Sequence, residues 1–280
     1  MKNFSSILSE KIEELAIGKF DGMHLAHQRI LEKLGKNAGV LVIAHNKNEY
    51  LCSPDLKKKL IRYEIFELLL DEIRGFSGED FVRFLKKKFP KLKRLVVGYD
   101  FYFGKNRACD CYDLQSFFEG SVEIVPEILY NGFSVHAQKI QEILKETGDI
   151  RFVNTLLGRI YQVEGKIIKG QGIGKKMLYP TLNLDVQGYV LPKSGVYACF
   201  LGEKKVFCAT FIGTRSTDSC FSVEVHVLGE FKKEYQETGY IDLYFVDRVR
   251  DIKHFANLYD LKKQITQDIQ SVKNILKSIF

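Results

Sequence analysis

Features that mark secreted and membrane proteins are missing from this chain of 280 residues. No uninterrupted apolar stretch approaches the ~18 residues that a membrane-spanning helix needs. The first residues contain dispersed acidic side chains and no small-residue cleavage site behind an apolar block, so they do not have the pattern of a secretory signal. We therefore expect a cytoplasmic protein that has no membrane partner.

Metal-binding cysteine pairs are also missing. The six cysteines include no C-x-x-C pair, and Cys109 and Cys111 flank one residue, which is too close a spacing for a usual zinc site. Because the cytosol keeps thiols reduced, we expect the cysteines to be free.

A nucleic-acid-binding motif is missing as well, although the formal net charge is +7. Such a charge suits an anionic partner, either nucleic acid or the phosphates of a nucleotide. The lysine runs at 57–59 and 86–88 are typical of solvated helix faces, and no basic tail, helix-turn-helix, RNP or KH pattern accompanies them. We expect phosphate-bearing small molecules as partners and no nucleic acid.

The first half of the chain alternates short apolar runs with helical patterns. The buried-strand candidates are residues 14–18, 40–44, 95–98 and 122–125. The helical patterns run through Leu60, Ile61, Ile65, Phe66 and Leu69, and then through Phe81, Phe84 and Leu85. Ser77 and Asp80 predict the start of the second helix. This alternation predicts an α/β domain whose parallel sheet is covered on both faces.

The pattern changes from about Leu157 to short strands of the antiparallel type. They cover residues 160–168, 196–201, 206–212, 221–228 and 240–246, separated by turn residues. This spacing predicts a small β-barrel, and a helix carrying Leu258, Leu261 and Ile265 at helical spacing follows it. We predict two domains, residues 1–148 and 149–280.

Two histidines follow the first strand at a turn that contains glycine. Gly18 and Gly22 let the backbone turn tightly at the carboxyl end of a strand, where open α/β sheets bind ligands. His24 and His27 are three residues apart at the start of the next helix, so they share one face there. The free N–H groups of that helix end attract phosphate, and two imidazoles can donate hydrogen bonds to it. The alternative for either histidine is an ordinary surface residue.

The segment G-Q-G-I-G-K at 170–175 fits neither common glycine-rich phosphate loop. A dinucleotide fingerprint must open a helix, and a P-loop needs serine or threonine after its lysine. Two interpretations of the segment remain. It is either a flap whose N–H groups and lysines cover a polyphosphate or a plain glycine hairpin. Thr181 and Asn183, two positions apart on an extended segment, project the same way and offer oxygen ligands that suit Mg²⁺.

Alternation with a period of two in residues 221–228 places the valines on one face and Ser222, Glu224 and His226 on the other. A charged residue opposite an apolar face ordinarily points to solvent. If this strand converges with Thr181 and Asn183, Glu224 becomes a candidate general base.

The order of the motifs in the second half resembles a riboflavin kinase domain. These motifs are L-L-G-R at 156–159, the glycine flap, P-T-L-N at 180–183, L-P-K-S-G-V-Y at 191–197, I-G-T-R at 212–215 and V-E-V-H at 223–226. The resemblance implies a six-stranded antiparallel β-barrel with a terminal helix. It implies that Glu224 accepts the proton of the ribityl 5′-hydroxyl of riboflavin and that Arg250 contacts the flavin. It also implies that Thr181 and Asn183 hold Mg²⁺ with ATP. The flap residues implied to cover the ATP phosphates are Gly170, Gly172, Gly174 and Lys175.

Two motifs in the first half resemble the FMN adenylyltransferase module of bacterial bifunctional riboflavin kinase/FAD synthetases. The histidine segment resembles the H-x-G-H signature of nucleotidyltransferases, with Ala26 in place of its glycine, and G-Y-D-F-Y-F-G at 98–104 resembles G-x-D-F-x-F-G. The resemblance implies a Rossmann-like nucleotidyltransferase domain in which His24 and His27 are catalytic. The other residues that it implies are Gly18, Phe20, Asp21, Gly22 and Lys139 for the nucleotide, and Asp100, Phe101 and Phe103 for the flavin.

The segment H-A-Q-K-I-Q at 136–141 stands where this family has Ser-Ser-Thr-Arg-Ile-Arg. One lysine, a point charge, therefore replaces two arginines that bind phosphate bidentately. Three functions follow: a bifunctional enzyme that makes FMN and then FAD, a riboflavin kinase with a catalytically degenerate first domain, and a flavin-responsive binding protein without catalysis. We favour the first because Asp21, His24 and His27 are intact. Flavins and ATP are then the partners of a monomer or weak homo-oligomer.

Overall fold

The computed structural model of the protein describes residues 2–3, 10–44, 49–169, 179–215, 219–229 and 239–279. Contacts within the chain divide it into two compact units, Met1–Ala137 and Gln138–Phe280. The division at 148/149 stays a prediction about the two functional domains.

The first unit is built on a parallel sheet of six strands in the order β1-β4-β3-β2-β5-β6. The strands are β1 (Lys2–Asn3), β2 (Glu14–Gly18), β3 (Ala38–Ala44), β4 (Glu64–Leu69), β5 (Arg94–Gly98) and β6 (Ser121–Val125). The helices are α1 (Leu25–Glu32), α2 (Pro54–Leu60), α3 (Leu70–Ile73), α4 (Gly78–Lys88) and α5 (Asp113–Phe117). A hairpin of β7 (Leu129–Tyr130) and β8 (Phe133–Ser134) follows the sheet. The predicted parallel α/β architecture is confirmed.

Side chains alternate across this sheet and give it two apolar faces. On β2, Leu15 and Ile17 join the cluster under α4 and α5, whereas Ala16 joins the cluster under α1 and α2. Strands that are buried on both faces have nearly continuous apolar sequences, as these do.

One helix predicted in this unit is wrong. The structure ends α2 at Leu60 and makes Glu64–Leu69 a strand, β4, which pairs with β3 and β1. Ile65 belongs to one core cluster and Phe66 to the other, so neighbouring side chains point to opposite faces of the sheet. A short apolar run of this kind fits the period of a helix as well as that of a strand, and pairing within the sheet decides between the two.

The predicted start of α4 is confirmed. The Ser77 hydroxyl accepts the backbone N–H of Asp80 at 3.1 Å, and the Asp80 carboxylate accepts the backbone N–H of Ser77 at 3.3 Å. This reciprocal pair satisfies two N–H groups that a helix start would otherwise expose.

The second unit contains a closed barrel of six antiparallel strands in the order β10-β13-β12-β11-β14-β9. The strands are β9 (Tyr161–Ile168), β10 (Leu182–Asp185), β11 (Gly195–Leu201), β12 (Val206–Thr214), β13 (Phe221–Val227) and β14 (Tyr240–Arg250). Helices α6 (Ala137–Glu146) and α7 (Ile150–Leu157) precede the barrel, and α8 (Leu258–Ile279) follows it. The predicted six-stranded barrel and terminal helix are confirmed.

Closure of the barrel gives each strand an inner and an outer face. On β11, Tyr197 and Cys199 are fully buried on one face, whereas Phe200 points the other way and packs with Val272 and Leu276 of α8. The terminal helix therefore covers the outer wall of the barrel. All six cysteines are free in the structure. None of the helices in the described ranges is both long and apolar enough to cross a membrane.

Candidate functional sites

The order of the strands locates a crevice in the first unit. The chain passes from β2 through α1 to β3 on one side of β2, whereas β5 lies on its other side. Open α/β sheets bind ligands at such a reversal of strand order, outside the carboxyl ends of the strands. The segment after β2 carries His24 and the segment after β5 carries Asp100, so both residues lie at this end of the sheet.

The turn after β2 has an unusual backbone conformation. Phe20, Gly22 and Met23 have φ angles of 49°, 80° and 47°. This left-handed region costs a residue other than glycine about 1–2 kcal/mol. Burial of Phe20 and Met23 offsets that cost, and Asp21 Oδ1 accepts the backbone N–H of Leu51 at 2.9 Å. The predicted nucleotide-contacting residues that form this turn are Gly18, Phe20, Asp21 and Gly22.

His24 and His27 stack against each other at the start of α1. Their ring centroids are 3.7 Å apart with an interplanar angle of 22°, which confirms the common face predicted from their spacing. Nδ1 of each ring is buried and, among the residues that the structure describes, has no hydrogen-bond partner. The His24 side chain also makes no capping hydrogen bond to α1. Buried polar atoms without partners at a helix start indicate a site whose ligand completes the hydrogen bonds.

Burial lowers the pKa of both imidazoles. Desolvation, followed by the charge of His136, lowers the pKa of His24 from 6.5 to about 3. Desolvation also lowers the pKa of His27 well below 6.5, with smaller contributions from the charges of His24, Lys57 and His136. Both rings are therefore neutral near pH 7, and each has one N–H that a phosphate oxygen can accept.

The predicted flavin motif divides between the two faces of the sheet. A Cβ added to Gly98 would lie 2.8 Å from Asp100 Oδ1 and 3.6 Å from Ile30 Cδ1, so the carboxylate lies over the strand end beside α1. The Phe101 and Phe103 rings stack 5.8 Å apart, and both belong to the core under α4 and α5. Of these three residues, Asp100 is the one on the side of the histidines.

His136 lies beside the same site, although the sequence pattern assigns it no role. Its Nδ1 is 3.3 Å from Asp100 Oδ2, and its Nε2 is 2.7 Å from the Tyr99 hydroxyl. Its charge also acts on the pKa of both His24 and His27. The residues are far apart in the chain, so no local pattern indicates that they meet.

The register of the barrel brings the predicted residues of the second site together. Asn183 of β10 lies directly opposite Glu224 of β13, and Thr181 stands just before β10, two residues from Asn183. Asn183 is buried, whereas Thr181 is exposed. Along β13, Ser222, Glu224 and His226 alternate with buried valines, and this confirms the predicted period. The convergence on which the role of Glu224 depends is therefore present.

The side chains of Ser222 and Arg215 contact the Glu224 carboxylate. The Ser222 hydroxyl donates to Oε1 at 3.3 Å, and Arg215 Nη1 lies 3.7 Å from the same oxygen. A cleft of about 400 Å³ beside them is lined in part by Asn183 and Asp185. Sequence reasoning did not assign a role to Arg215, whose position follows from the pairing of β12 with β13. The amide of Asn183 and the guanidinium of Arg215 line this cleft, and Glu224 contacts two of its lining residues, Ser222 and Arg215.

Asn183, which lines this cleft, and Thr181, two residues before it, fit Mg²⁺ that is bound together with a nucleotide. Thr181, just before β10, and Asn183, within β10, provide oxygen atoms two residues apart. Over the described part of the chain, there is no group of three His, Cys, Asp or Glu residues that could hold a metal ion by itself. Mg²⁺ at nucleotide sites takes few protein ligands and keeps phosphate and water in its shell. The positive charge of Arg215, 3.7 Å from the Glu224 carboxylate, opposes binding of a metal cation at Glu224.

The remaining predicted residues lie elsewhere. The flap residues Gly170, Gly172, Gly174 and Lys175 fall outside the described residues. Lys139 is an exposed residue of α6 and belongs to the second unit. Arg250 donates from Nε to Asp268 Oδ1 at 2.8 Å and from Nη2 to Oδ2 at 2.6 Å, which joins β14 to α8. The roles of Lys139 with the nucleotide and of Arg250 with the flavin stay predictions.

Residues 157–276 match the riboflavin kinase family, Flavokinase. This stretch contains all six strands of the barrel and most of α8. The part of the chain that is similar to riboflavin kinases is therefore the barrel with its terminal helix.

Over nearly its whole length the chain is similar to bifunctional riboflavin kinase/FMN adenylyltransferases. The relative from Buchnera aphidicola subsp. Schizaphis graminum is 28% identical, over 95% of this chain and 94% of the relative. The relative from Haemophilus influenzae is 27% identical over 94% of each chain, and that from Escherichia coli K12 is 27% identical over 91% and 90%. These matches confirm the resemblance that the motifs predict.

One solved structure has the same fold over almost the entire chain. It is the crystal structure of a macrolide-efflux protein from Streptococcus pneumoniae, with a TM-score of 0.85 and coverage of 98% of each chain. The two sequences are 23% identical, and the similarity concerns the fold alone.

Proposed function

We propose that the protein makes FAD from riboflavin in two ATP-dependent steps. The second unit phosphorylates riboflavin to FMN, and the first unit transfers AMP from another ATP to FMN and releases pyrophosphate. The observation that carries the proposal is the pairing of Glu224 with Asn183, a residue that lines a cleft, within the region that matches the riboflavin kinase family. The similarity of the whole chain to bifunctional relatives supports the second activity.

In the kinase step, Glu224 accepts the proton of the ribityl 5′-hydroxyl while the hydroxyl oxygen forms a bond to the γ-phosphorus of ATP. The bond from that phosphorus to the β–γ bridging oxygen breaks, and ADP leaves. Ser222 orients the carboxylate, and Arg215 stands where its charge balances the transferring phosphoryl group. Thr181 and Asn183 would hold Mg²⁺, which neutralises phosphate charge when it is bound. Phosphoryl transfer depends mainly on such positioning and charge balance.

In the adenylyl step, a phosphate oxygen of FMN forms a bond to the α-phosphorus of ATP, and the bond to pyrophosphate breaks. His24 and His27 each donate one N–H to phosphate oxygens and so stabilise the charge that develops on them. The start of α1 contributes backbone N–H groups to the same phosphates. Asp100 accepts a hydrogen bond from a hydroxyl or ring N–H of the flavin.

A riboflavin kinase with a catalytically degenerate first unit is the second candidate. The observation that favours it is the segment at 136–141, which lacks the two arginines of the family. A flavin-responsive binding protein is the third candidate, and it requires that neither reaction occurs.

The test is to incubate the purified protein with riboflavin, ATP and Mg²⁺ and to separate the flavins over time. We expect FMN to appear first and FAD to follow, and we expect added FMN to yield FAD with equimolar pyrophosphate. Accumulation of FMN without FAD would select the second candidate. Binding of riboflavin without consumption of ATP would select the third candidate and overturn both enzymatic proposals.

The proposal also includes a cytoplasmic enzyme that acts as a monomer or weak homo-oligomer on small molecules. Its six free cysteines suit a reducing compartment. Light scattering on the purified protein measures the oligomeric state, and a stable large assembly would contradict this part of the proposal.

A further inference from the structure

His136 is held in a network of polar side chains at the crevice of the first unit. Nδ1 faces the Asp100 carboxylate at 3.3 Å, and Nε2 faces the Tyr99 hydroxyl at 2.7 Å. The Tyr99 hydroxyl donates to Glu127 Oε1 at 3.1 Å, and the Ser134 hydroxyl donates to the same carboxylate. Both nitrogens of the imidazole therefore have partners, and its orientation is fixed from two sides.

The network joins the segment after β5 to the segment at the end of β8. Tyr99 and Asp100 follow β5, whereas Ser134 and His136 lie at and just after the end of β8. The backbone N–H of Tyr99 donates to Val125 O at 2.9 Å, so the base of the network is tied to β6. His136 therefore connects the Asp100 carboxylate, whose torsion angles can otherwise change, to residues that the strands hold in place.

Asp100 needs such a link. Its side chain is 56% exposed, and two torsion angles set the direction of its carboxylate. Gly98 leaves the space for one carboxylate oxygen, Oδ1, and His136 contacts the other, Oδ2. Removal of His136 frees the carboxylate to rotate away from the side of the crevice where His24 lies.

We propose that His136 is a positioning residue of the FMN adenylyltransferase site, which holds the Asp100 carboxylate in the orientation that receives FMN. The inference rests on the proposed function of the first unit and deepens it. It assigns a role to a residue from the segment in which this chain departs from the family pattern. The carboxylate accepts a hydrogen bond from a donor group of the flavin, and His136 acts through it without touching the substrate.

The two ring nitrogens can be tested separately. In His136→Asn the side-chain amide nitrogen occupies the place of Nδ1 and keeps the contact with Asp100. In His136→Gln the longer side chain places its amide where Nε2 lies and keeps the contact with Tyr99. We expect His136→Ala and His136→Gln to raise the KM for FMN about tenfold, with kcat changed less than about threefold. His136→Asn should stay within about threefold of the wild-type KM.

A double-mutant cycle decides whether His136 acts through Asp100. We expect His136→Ala to change the KM for FMN less than about twofold when Asp100→Ala is already present, because the two residues then form one unit. An unchanged tenfold effect in that background would overturn the proposal. So would equal defects in the Asn, Gln and Ala variants, because a purely structural role does not distinguish Nδ1 from Nε2.

Controls separate this inference from the proposed function. Riboflavin phosphorylation by the second unit, measured on every variant, and the far-UV circular dichroism report whether the chain is folded. His254→Asn, an exposed histidine of the second unit, should leave the KM for FMN unchanged. If the wild-type protein phosphorylates riboflavin but forms no FAD, the proposed function of the first unit fails and this inference falls with it. If the enzyme forms FAD but the effects of His136→Ala and Asp100→Ala on the KM for FMN are additive, this inference is overturned and the proposed function is not.

Discussion

Glu224 of β13 lies directly opposite Asn183 of β10 across an antiparallel pair of the barrel. The register of a closed barrel is fixed on both sides of each strand, so this pairing does not depend on a loop. It places the proposed proton acceptor, Glu224, beside the proposed Mg²⁺ ligand, Asn183, which lines a cleft together with Arg215. The pairing of β10 with β13 therefore fixes the geometry that the proposed kinase step requires.

Substitution of Glu224 by glutamine removes the proposed base and keeps the size of the side chain. We expect the rate of riboflavin phosphorylation to fall about 10²–10⁴-fold, the usual contribution of a general base. Formation of FAD from added FMN should not change. Glu164→Gln, an exposed glutamate on β9, serves as the matched control and should leave both rates unchanged. Undiminished phosphorylation by Glu224→Gln would exclude this residue as the base.

Replacement of Asn183 tests the metal assignment. Asn183→Ala removes one oxygen donor, so we expect the Mg²⁺ concentration for half-maximal phosphorylation to rise about 10–100-fold. A titration with MgCl₂ at saturating ATP and riboflavin measures the change. Asn274→Ala, at an exposed position of α8, provides the control. An identical Mg²⁺ dependence in Asn183→Ala and the control would show that Asn183 is no ligand.

Acidification should destabilise the first unit through its two buried histidines. The folded-state pKa of His24 is about 3, below the 6.5 of the unfolded chain, so the unfolded state binds more protons between these values. Stability is therefore lost as the pH falls from 6.5 towards 3, by about 1.4 kcal/mol per pH unit for each such group. At pH 5 this amounts to about 2 kcal/mol for His24.

Urea unfolding at pH 7 and at pH 5, followed by circular dichroism, measures this loss. We expect His24→Gln to reduce the difference between the two pH values, because glutamine does not titrate. His254→Gln, an exposed histidine, should keep the wild-type difference. An equal pH dependence for wild-type and His24→Gln proteins would contradict the depressed pKa of His24.

The buried ion pair between Arg250 and Asp268 should stabilise the contact of β14 with α8. Asp268→Ala leaves a largely buried guanidinium without its carboxylate, so we expect the free energy of unfolding to fall by about 3–5 kcal/mol. Asp251→Ala is the matched control, because Asp251 also pairs with an arginine, Arg248, but is 70% exposed. It should change the free energy of unfolding much less than Asp268→Ala does, because water screens an exposed ion pair. Equal losses in the two variants, measured by urea unfolding, would show that burial adds nothing to the pair.

Local sequence patterns predict much of the fold and part of both sites. The period of two in β13 places Glu224 correctly on one face, and the spacing of His24 and His27 predicts that their rings meet. Neither pattern predicts which residues of other elements contact these side chains. The apolar run around Ile65 and Phe66 fits a helix as well as a strand, and only the neighbouring strand β3 makes it β4.

The residues that sequence reasoning missed are those whose partners are distant in the chain. His136 meets Asp100 because the strands β5 and β6 are adjacent and the chain returns through β7 and β8. Arg215 meets Glu224 because β12 and β13 form a hairpin. The hairpin of β12 and β13 can be predicted from the strand pattern. The contact of His136 with Asp100 cannot, because no period or spacing in the sequence connects His136 with β5.

The central claim is that one chain carries two independent active sites that act in succession on the flavin. An equimolar mixture of Glu224→Gln with the double variant His24→Asn/His27→Asn tests it most directly, with riboflavin, ATP and Mg²⁺ supplied and FAD measured. Each variant alone should form almost no FAD from riboflavin, the first because it makes no FMN and the second because it stops at FMN. The mixture should form FAD, because free FMN passes from one protein to the other. A mixture that accumulates FMN without FAD, beside a wild-type protein that forms FAD under the same conditions, would contradict the account.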